Sequence, residues 1–306
     1  MRVILAGKHE LACRLAAALE DCRGLELGFL ACATEADHDG GRESLKALLS
    51  KRDHRPLNDD YGHEDLLHAV RRFQPNVLIS AGYDRIFRPE LLASVPLALN
   101  IHFSLLPRYR GCYSLPWAML NDDSTLGVTV HHIDSGIDSG PIVVQSSFPN
   151  DRGQGCKALY LTAVECGVQL ALRLMEDLKA GVPPQTRPQD ESLATYHPPR
   201  FPGDFRITWR QTISTVTNYI RATHFPPYQP AISTCGEWTM GFEPPVRVLP
   251  DPGQPLAPGT IALVGEHYAV AALNGLVLPG LVHLNEDRLL FSDAVRRLGL
   301  AGRRLT

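Results

Sequence analysis

The sequence predicts an α/β protein in which a mainly parallel sheet domain is followed by a smaller β-rich domain. Through about residue 180, short apolar runs alternate with segments of helical periodicity, which is typical of a parallel sheet covered on both faces. After a proline-rich stretch, the apolar runs are short and broken by glycine and proline, as in small β domains. With 306 residues, the chain is long enough for a domain of ~200 residues and one of ~100.

The first elements form a β-α-β pattern. Residues 2–6 (RVILA) predict a buried strand, residues 11–19 have helical periodicity, and residues 25–33 form a second apolar run. The pattern repeats, because residues 63–73 carry an apolar stripe at helical spacing and residues 76–80 (NVLIS) predict a buried strand.

The rest of the first domain follows the same alternation. The expected elements are, in order, a strand at 97–101, a short helix at 114–120, strands at 127–133 and 141–147, and a long helix at 157–180. Gly181 and Pro183 end this helix, and residues 181–203 contain six prolines, a density typical of a linker.

The second domain begins with a helix and continues with short strands. Residues 212–223 place Ile213, Val216 and Ile220 on one helical face. The short apolar runs that follow are residues 246–249, 259–264, 268–273, 276–278 and 289–291. We therefore expect a first domain at 1–180, a linker at 181–203 and a second domain at 204–306.

Composition and charge argue against several classes of protein. The chain is 44% hydrophobic and 21% charged with a formal net charge of −3, which argues against disorder, collagen and coiled coil. No apolar run reaches the ~20 residues of a membrane helix, and the N-terminus lacks the pattern of a signal peptide. Seven scattered cysteines without a CxxC pair indicate mostly buried thiols, so we expect a cytoplasmic protein without a membrane partner.

The most informative segment is residues 100–140, where polar side chains follow a predicted strand. Asn100 and His102 are two residues apart, so both side chains point to one side of the strand at its carboxyl end, where ligands bind in open α/β sheets. Asp138 lies in a loop at 134–140 whose glycines allow close approach to a ligand. An amide, an imidazole and a carboxylate together suit acyl transfer without a covalent enzyme intermediate. Taken alone, the same residues also fit a structural role, with a satisfied histidine and a turn-capping asparagine.

Longer motifs favour the catalytic interpretation. The run NIHFSLLPRYRG, followed by GVTVHHIDSGIDSGPIV, resembles the folate-dependent formyltransferase family, in the branch of sugar N-formyltransferases and methionyl-tRNA formyltransferases. The run RITWRQTISTVTNYIRATHFPPYQPA resembles the start of the OB-like domain of that branch. The resemblance implies a Rossmann-like catalytic domain, a smaller OB-like domain, and 10-formyltetrahydrofolate as formyl donor with tetrahydrofolate as product.

The resemblance also assigns roles to residues. Asn100, His102 and Asp138 match the family's catalytic trio: Asn100 would donate to the developing oxyanion, His102 would carry the proton, and Asp138 would favour the protonated imidazole. The residues implied for the folate pocket are Arg85, Ile86, Phe87, Ser104, Leu105, Leu106, Pro107, Asp134, Ser135, Gly136 and Ile137. Phe103 departs from the small residue or proline of many relatives, and either narrows the pocket or packs beneath it, with packing preferred.

Two features bear on which amine accepts the formyl group: the net charge of the chain and one further segment. Residues 1–199 carry a net charge of −5 and residues 200–306 one of +2, and the charged loop at 34–56 is mixed, which offers little for the phosphate backbone of tRNA. The run CYSLPWAMLND is more similar to the sugar enzymes. Tyr113 and Trp117 are candidates to stack on a nucleotide, and Arg108 and Arg110 to meet its pyrophosphate, although Trp117 fits a core position equally well.

The favoured acceptor is therefore the primary amine of a nucleotide-linked amino sugar, with methionyl-tRNA second. Alternatives of another type are a hydrolase of 10-formyltetrahydrofolate and a folate- or tRNA-binding module without turnover. A homodimer is compatible with the sequence. No metal is expected, because His131 and His132 are strand neighbours that point to opposite faces. A dinucleotide site or a P-loop is not expected either, because neither GxGxxG nor the P-loop motif occurs.

Overall fold

A computed structural model describes residues 1–32, 44–57, 63–225, 230–249, 253 and 256–306. Residue 33 of the second predicted strand, residues 34–43 of the predicted charged loop and residues 226–229 of the second resemblance lie outside the described residues. The chain divides into two compact units. The first comprises residues 1–112, 127–148 and 161–197, and the second comprises residues 113–126, 149–160 and 198–306.

The elements up to the end of the long helix alternate as the sequence predicts. The strands are β1 (Arg2–Gly7), β2 (Glu26–Ala31), β3 (Val77–Ala81), β4 (Leu97–His102), β5 (Arg110–Gly111), β6 (Thr125–His132) and β7 (Ile142–Pro149). The helices are α1 (His9–Glu20), α2 (Leu45–Lys51), α3 (His63–Phe73), α4 (Pro89–Leu92), α5 (Ser114–Leu120) and α6 (Cys156–Lys179). The short helices α2 and α4 were not predicted.

Apart from β5, these strands form a six-stranded sheet in the order β2-β1-β3-β4-β6-β7. The pairs β1·β2, β1·β3 and β3·β4 are parallel, whereas β6 runs antiparallel to β4. Strand β3 is buried along its whole length, which explains its unbroken apolar sequence. Helix α1 buries Leu11, Leu15 and Leu19 at helical spacing. The sequence-based prediction of a mainly parallel sheet is confirmed.

The segment after α6 belongs to the first unit as far as His197. Strand β8 (Tyr196–His197) pairs in parallel with β5, and Arg187 bridges to Ile142. The predicted linker at 181–203 is therefore paired with the sheet domain over part of its length rather than being a free connection.

The second unit contains an antiparallel sheet of β9 (Ala231–Cys235), β10 (Trp238–Leu249), β11 (Ile261–Val264), β12 (His267–Ala272), β13 (Gly275–Leu284) and β14 (Asp287–Leu290). Its helices are α5, α7 (Ile213–Thr223) and α8 (Phe291–Leu298), together with residues 156–160 of α6. Val216 and Ile220 of α7 belong to its core, with Phe242 and Phe291. The predicted β-rich character is confirmed, but β9, most of β10 and α8 were not predicted.

Two further observations concern membranes and cysteines. Within the described ranges, only α6 is long and apolar enough for a membrane span, which is weak support, since a core helix passes the same test. Helix α6 buries Ala163, Val164, Val168 and Met175, as a core helix does. All seven cysteines are free thiols, and four of them are buried.

Candidate active site

The three residues of the predicted trio lie together in the first unit. Asn100 and His102 lie at the carboxyl end of strand β4, and Asp138 is in the loop between β6 and β7. The Asn100 amide nitrogen donates to Asp138 Oδ1 at 3.2 Å, and His102 Nδ1 lies 3.5 Å from Asp138 Oδ2. One carboxylate therefore contacts both of the other groups.

His102 is a buried imidazole whose two nitrogens face different acceptors. Its Nε2 lies 2.8 Å from the carbonyl oxygen of Tyr109, so the neutral ring carries its proton on Nε2. Burial lowers the pKa of His102, and the charge of Asp138 opposes that effect. In the neutral form Nδ1 is the basic atom, and a proton taken up there faces Asp138.

Asp138 is held in a conformation that favours its ionised form. Burial opposes ionisation, but the charge of His102 and donation from the Gly111 N–H at 2.8 Å together hold the pKa of Asp138 well below its usual range. Its backbone has a φ of 52°, in the left-handed region that residues other than glycine rarely adopt. The Gln189 side-chain amide donates to the Asp138 carbonyl oxygen at 2.8 Å.

His131 is a site residue that the sequence reasoning missed. It is opposite Asn100 in the antiparallel β4·β6 register, and its Nδ1 lies 2.8 Å from the His132 carbonyl oxygen. The neutral ring therefore accepts at Nε2, which is 3.1 Å from Asn100 Nδ2 and 3.4 Å from Asp138. Both N–H groups of Asn100 then face protein acceptors, so donation to an oxyanion requires one of them to exchange its partner.

In the sequence, His131 was considered only as a metal ligand, although its position also contained a signal for the active site. Its position in a strand next to β4 places it beside Asn100, but the pairing of β4 with β6 comes from the sheet topology. In the described ranges, no group of three or more His, Cys, Asp or Glu side chains is arranged to hold a metal ion.

The residues predicted for the folate pocket differ in their exposure to solvent. Exposed side chains are those of Arg85, Ile86, Asp134, Ser135 and Ile137, with Gly136 exposed as well. Phe87, Ser104 and Leu106 are buried, and Leu105 and Pro107 are partly buried. Ile86 is 78% exposed and Ile137 46% exposed, although both are apolar. Such apolar side chains in two loops suit the flat face of a bound ring system.

Phe103 packs rather than projecting freely. A Cβ placed on Gly167 of helix α6 would lie 3.7 Å from the Phe103 ring. Phe103 is partly buried, and the close approach of helix α6 at this glycine favours the packing role.

Arg110 does not fit the predicted pyrophosphate contact. Its side chain is fully buried, and all of its N–H groups are directed at Gln189, Glu191 and Tyr196. The prediction failed because these partners are 79 to 86 residues further along the chain. Arg108 is exposed and donates to the Tyr109 hydroxyl.

Tyr113 and Trp117 belong to the second unit and are not placed relative to the trio. Tyr113 is 46% exposed, and its ring packs edge-on against Phe201. Trp117 is partly buried on helix α5. Their predicted contact with a nucleotide stays a prediction.

Comparison with known proteins gives consistent relatives. A family model described as formyl transferase matches residues 45–170. Methionyl-tRNA formyltransferase of Pelobacter propionicus is 30% identical over 287 residues, covering 90% of this chain and 86% of the relative.

Solved structures share the fold at lower identity. An N-formyltransferase from Helicobacter canadensis, in complex with folinic acid and dTDP-3-aminofucose, has a TM-score of 0.71 at 19% identity and covers 90% of this chain and 97% of its own. The sugar 3N-formyltransferase WlaRD, with dTDP and 5-N-formyl-THF, has a TM-score of 0.71 at 19% identity. The match covers 94% of this chain and 98% of WlaRD. Sequence and fold agree: this chain belongs to the folate-dependent formyl transferase family.

Proposed function

We propose that this enzyme moves a formyl group from 10-formyltetrahydrofolate to the primary amine of a nucleotide-linked amino sugar. The observation that supports the reaction is that Asn100 and His102 both contact the Asp138 carboxylate at the carboxyl end of β4. The donor is supported by the exposed apolar Ile86 and Ile137, and by the folate compounds in the related structures.

The chain's own residues supply proton transfer and charge stabilisation. The formyl donor brings the carbon that the amine attacks. His102 would take the amine proton at Nδ1, where the imidazolium faces Asp138 at 3.5 Å, and pass it to the folate N10 as the bond between N10 and the formyl carbon breaks. The formylated amine and tetrahydrofolate are then released, and His102 is neutral again. Because Asp138 stays ionised, it stabilises that charge without taking the proton itself. Asn100 donates to the formyl oxygen as negative charge develops, after one of its N–H groups leaves its protein acceptor.

The sugar acceptor is supported by charge and by the segment around helix α5. The net charge of −5 over residues 1–199 is unfavourable for binding a polyanion. Tyr113 combines 46% exposure with an aromatic ring, which suits stacking on a base or sugar.

Methionyl-tRNA is the second candidate acceptor, because relatives of that activity are 30% identical over most of the chain. Purified enzyme with 10-formyltetrahydrofolate is tested against dTDP-linked 3-amino and 4-amino deoxysugars and against charged initiator tRNA, with tetrahydrofolate formation as the measurement. Formylation of a sugar nucleotide supports the proposal. Formylation of the tRNA alone, falling steeply with salt, replaces it with the second candidate.

A control without acceptor tests the hydrolase alternative. Formate released at a rate equal to any transfer identifies water as the acceptor. Binding of the folate with neither transfer nor hydrolysis identifies a module without turnover.

A further inference from the structure

The stretch after helix α6 returns to the candidate active site. Residues 187–197, called here the returning segment, begin with Arg187, which exchanges backbone hydrogen bonds of 2.8 and 2.9 Å with Ile142. The segment ends in β8, paired with β5. All of these residues lie within the first unit, so the segment is part of the framework around the trio.

Gln189 holds the loop that carries Asp138. Its side-chain amide nitrogen donates to the carbonyl oxygens of Asp138 at 2.8 Å and Gly140 at 2.7 Å. Asp138 has a φ of 52°, in the left-handed region that a Cβ disfavours. The two hydrogen bonds therefore stabilise a strained turn whose side chain is the carboxylate of the trio.

The orientation of Gln189 is set by a buried cation. Arg110 donates from Nε and from one terminal nitrogen to Gln189 Oε1, at 3.1 and 2.8 Å. Because the Gln189 oxygen is held by these donors, its nitrogen must face the two loop carbonyls. Glu191 pairs with the same guanidinium at 2.6 Å and balances its charge.

The same segment also fixes the residue that contacts His102. Thr195 accepts from the Tyr109 N–H at 2.7 Å, and the Tyr109 carbonyl oxygen lies 2.8 Å from His102 Nε2. Thus both partners of the imidazole, the Tyr109 carbonyl and Asp138, are tied to one stretch of chain.

We propose that Gln189 is a positioning residue for formyl transfer, which holds the Asp138 carboxylate against His102 and is itself oriented by Arg110. This inference rests on the proposed roles of His102 and Asp138. The hydrogen bonds of Gln189 act on the loop and not on a substrate. Displacing the carboxylate therefore affects turnover more than folate binding.

The test uses two replacements of Gln189 and one matched control. Gln189→Glu keeps the size and the contact with Arg110 but removes the two donors and sets an oxygen against two carbonyl oxygens. Gln189→Met removes the donors without adding charge, and serves if Gln189→Glu does not fold. Gln169→Glu makes the same charge change on the exposed face of α6.

We expect kcat to fall about tenfold or more in both Gln189 variants, with the KM for 10-formyltetrahydrofolate within about twofold. In Gln189→Met, which adds no charge, the pH midpoint assigned to His102 should move to lower pH, because Asp138 then offsets the effect of burial less. In the described residues, the titratable groups that face His102 are Asp138 and His131. Gln169→Glu should match the wild type in all three measurements.

Asp138→Asn separates this inference from the proposed function. If Asp138→Asn retains wild-type kcat, the proposed catalytic assignment is wrong. If Asp138→Asn loses activity while both Gln189 variants keep wild-type kcat and pH profile, Gln189 has no positioning role. A parallel rise in KM with unchanged kcat also overturns the inference.

Discussion

Replacing Gly140 by alanine should displace the Asp138 loop through a single added methyl group. A Cβ at this position would lie 2.0 Å from the carbonyl oxygen of His132 and 2.8 Å from its carbonyl carbon. An ordinary carbon-to-oxygen contact is about 3.3–3.6 Å, so the loop or the end of β6 must move by roughly 1 Å. Overpacking of this kind typically costs about 1–3 kcal/mol.

The displaced atoms are those that hold the trio. The Gly140 carbonyl oxygen accepts from Gln189, and Asp138 is two residues away. A misplacement of about 1 Å at reacting groups lowers turnover by roughly 10²-fold, so we expect a loss of that size in kcat for Gly140→Ala.

The assay measures kcat with 10-formyltetrahydrofolate and the acceptor, together with thermal unfolding. Gly24→Ala is the matched control, because Gly24 is exposed, has a φ of 82°, and has nothing within 4 Å of the added Cβ. It should lose a similar amount of stability through backbone strain but keep wild-type kcat. Wild-type turnover in Gly140→Ala would refute the role given to this loop.

Four further predictions concern the same unit. Asn100→Ala and His102→Ala should each lower kcat by roughly 10²-fold in a folded protein, as seen by steady-state kinetics and circular dichroism. Because its pKa in the folded state lies below its ordinary value of 3.8, Asp138 adds stability that is present above about pH 4 and lost as the pH falls further; acid unfolding of Asp138→Asn should therefore be less steep than that of the wild type. His131→Phe should lower kcat by roughly tenfold, because the His131 ring no longer orients the Asn100 amide toward the reacting group, and an unchanged kcat would contradict this role. Arg110→Ala should lower the melting temperature by roughly 5 °C or more and expose the returning segment to protease, since a fully buried cation and its hydrogen bonds are lost.

The sequence predicted the sheet domain well because its signals are local. Short unbroken apolar runs such as NVLIS favour buried strands, and the two-residue spacing of Asn100 and His102 places both on one side of β4. Asp138 required the family resemblance, because its place beside β4 depends on how a loop after an antiparallel strand folds back.

The errors come from contacts between distant parts of the chain. Arg110 was predicted to contact a pyrophosphate, yet its partners lie in the proline-rich stretch that was predicted to be a linker. Helix α8 was missed because the run at residues 289–291 spans the end of β14 and the start of α8. His131 was assessed for metal binding alone, although its cross-strand neighbour is Asn100.

The interleaving of the two units limits how this protein can be divided. The backbone passes from one unit to the other five times, and the second unit takes in helix α5 and residues 149–160 from the middle of the chain. Asp122 accepts from Asn218, and Asn150 accepts from Arg221, so the buried Asn218 and Arg221 of α7 have partners in that middle part. A fragment ending at residue 197 would lack Asn218 and Arg221, and a fragment beginning at 198 would lack Asp122 and Asn150. Chimeras with relatives are therefore better joined by exchanging surface loops than by cutting the gene at one point.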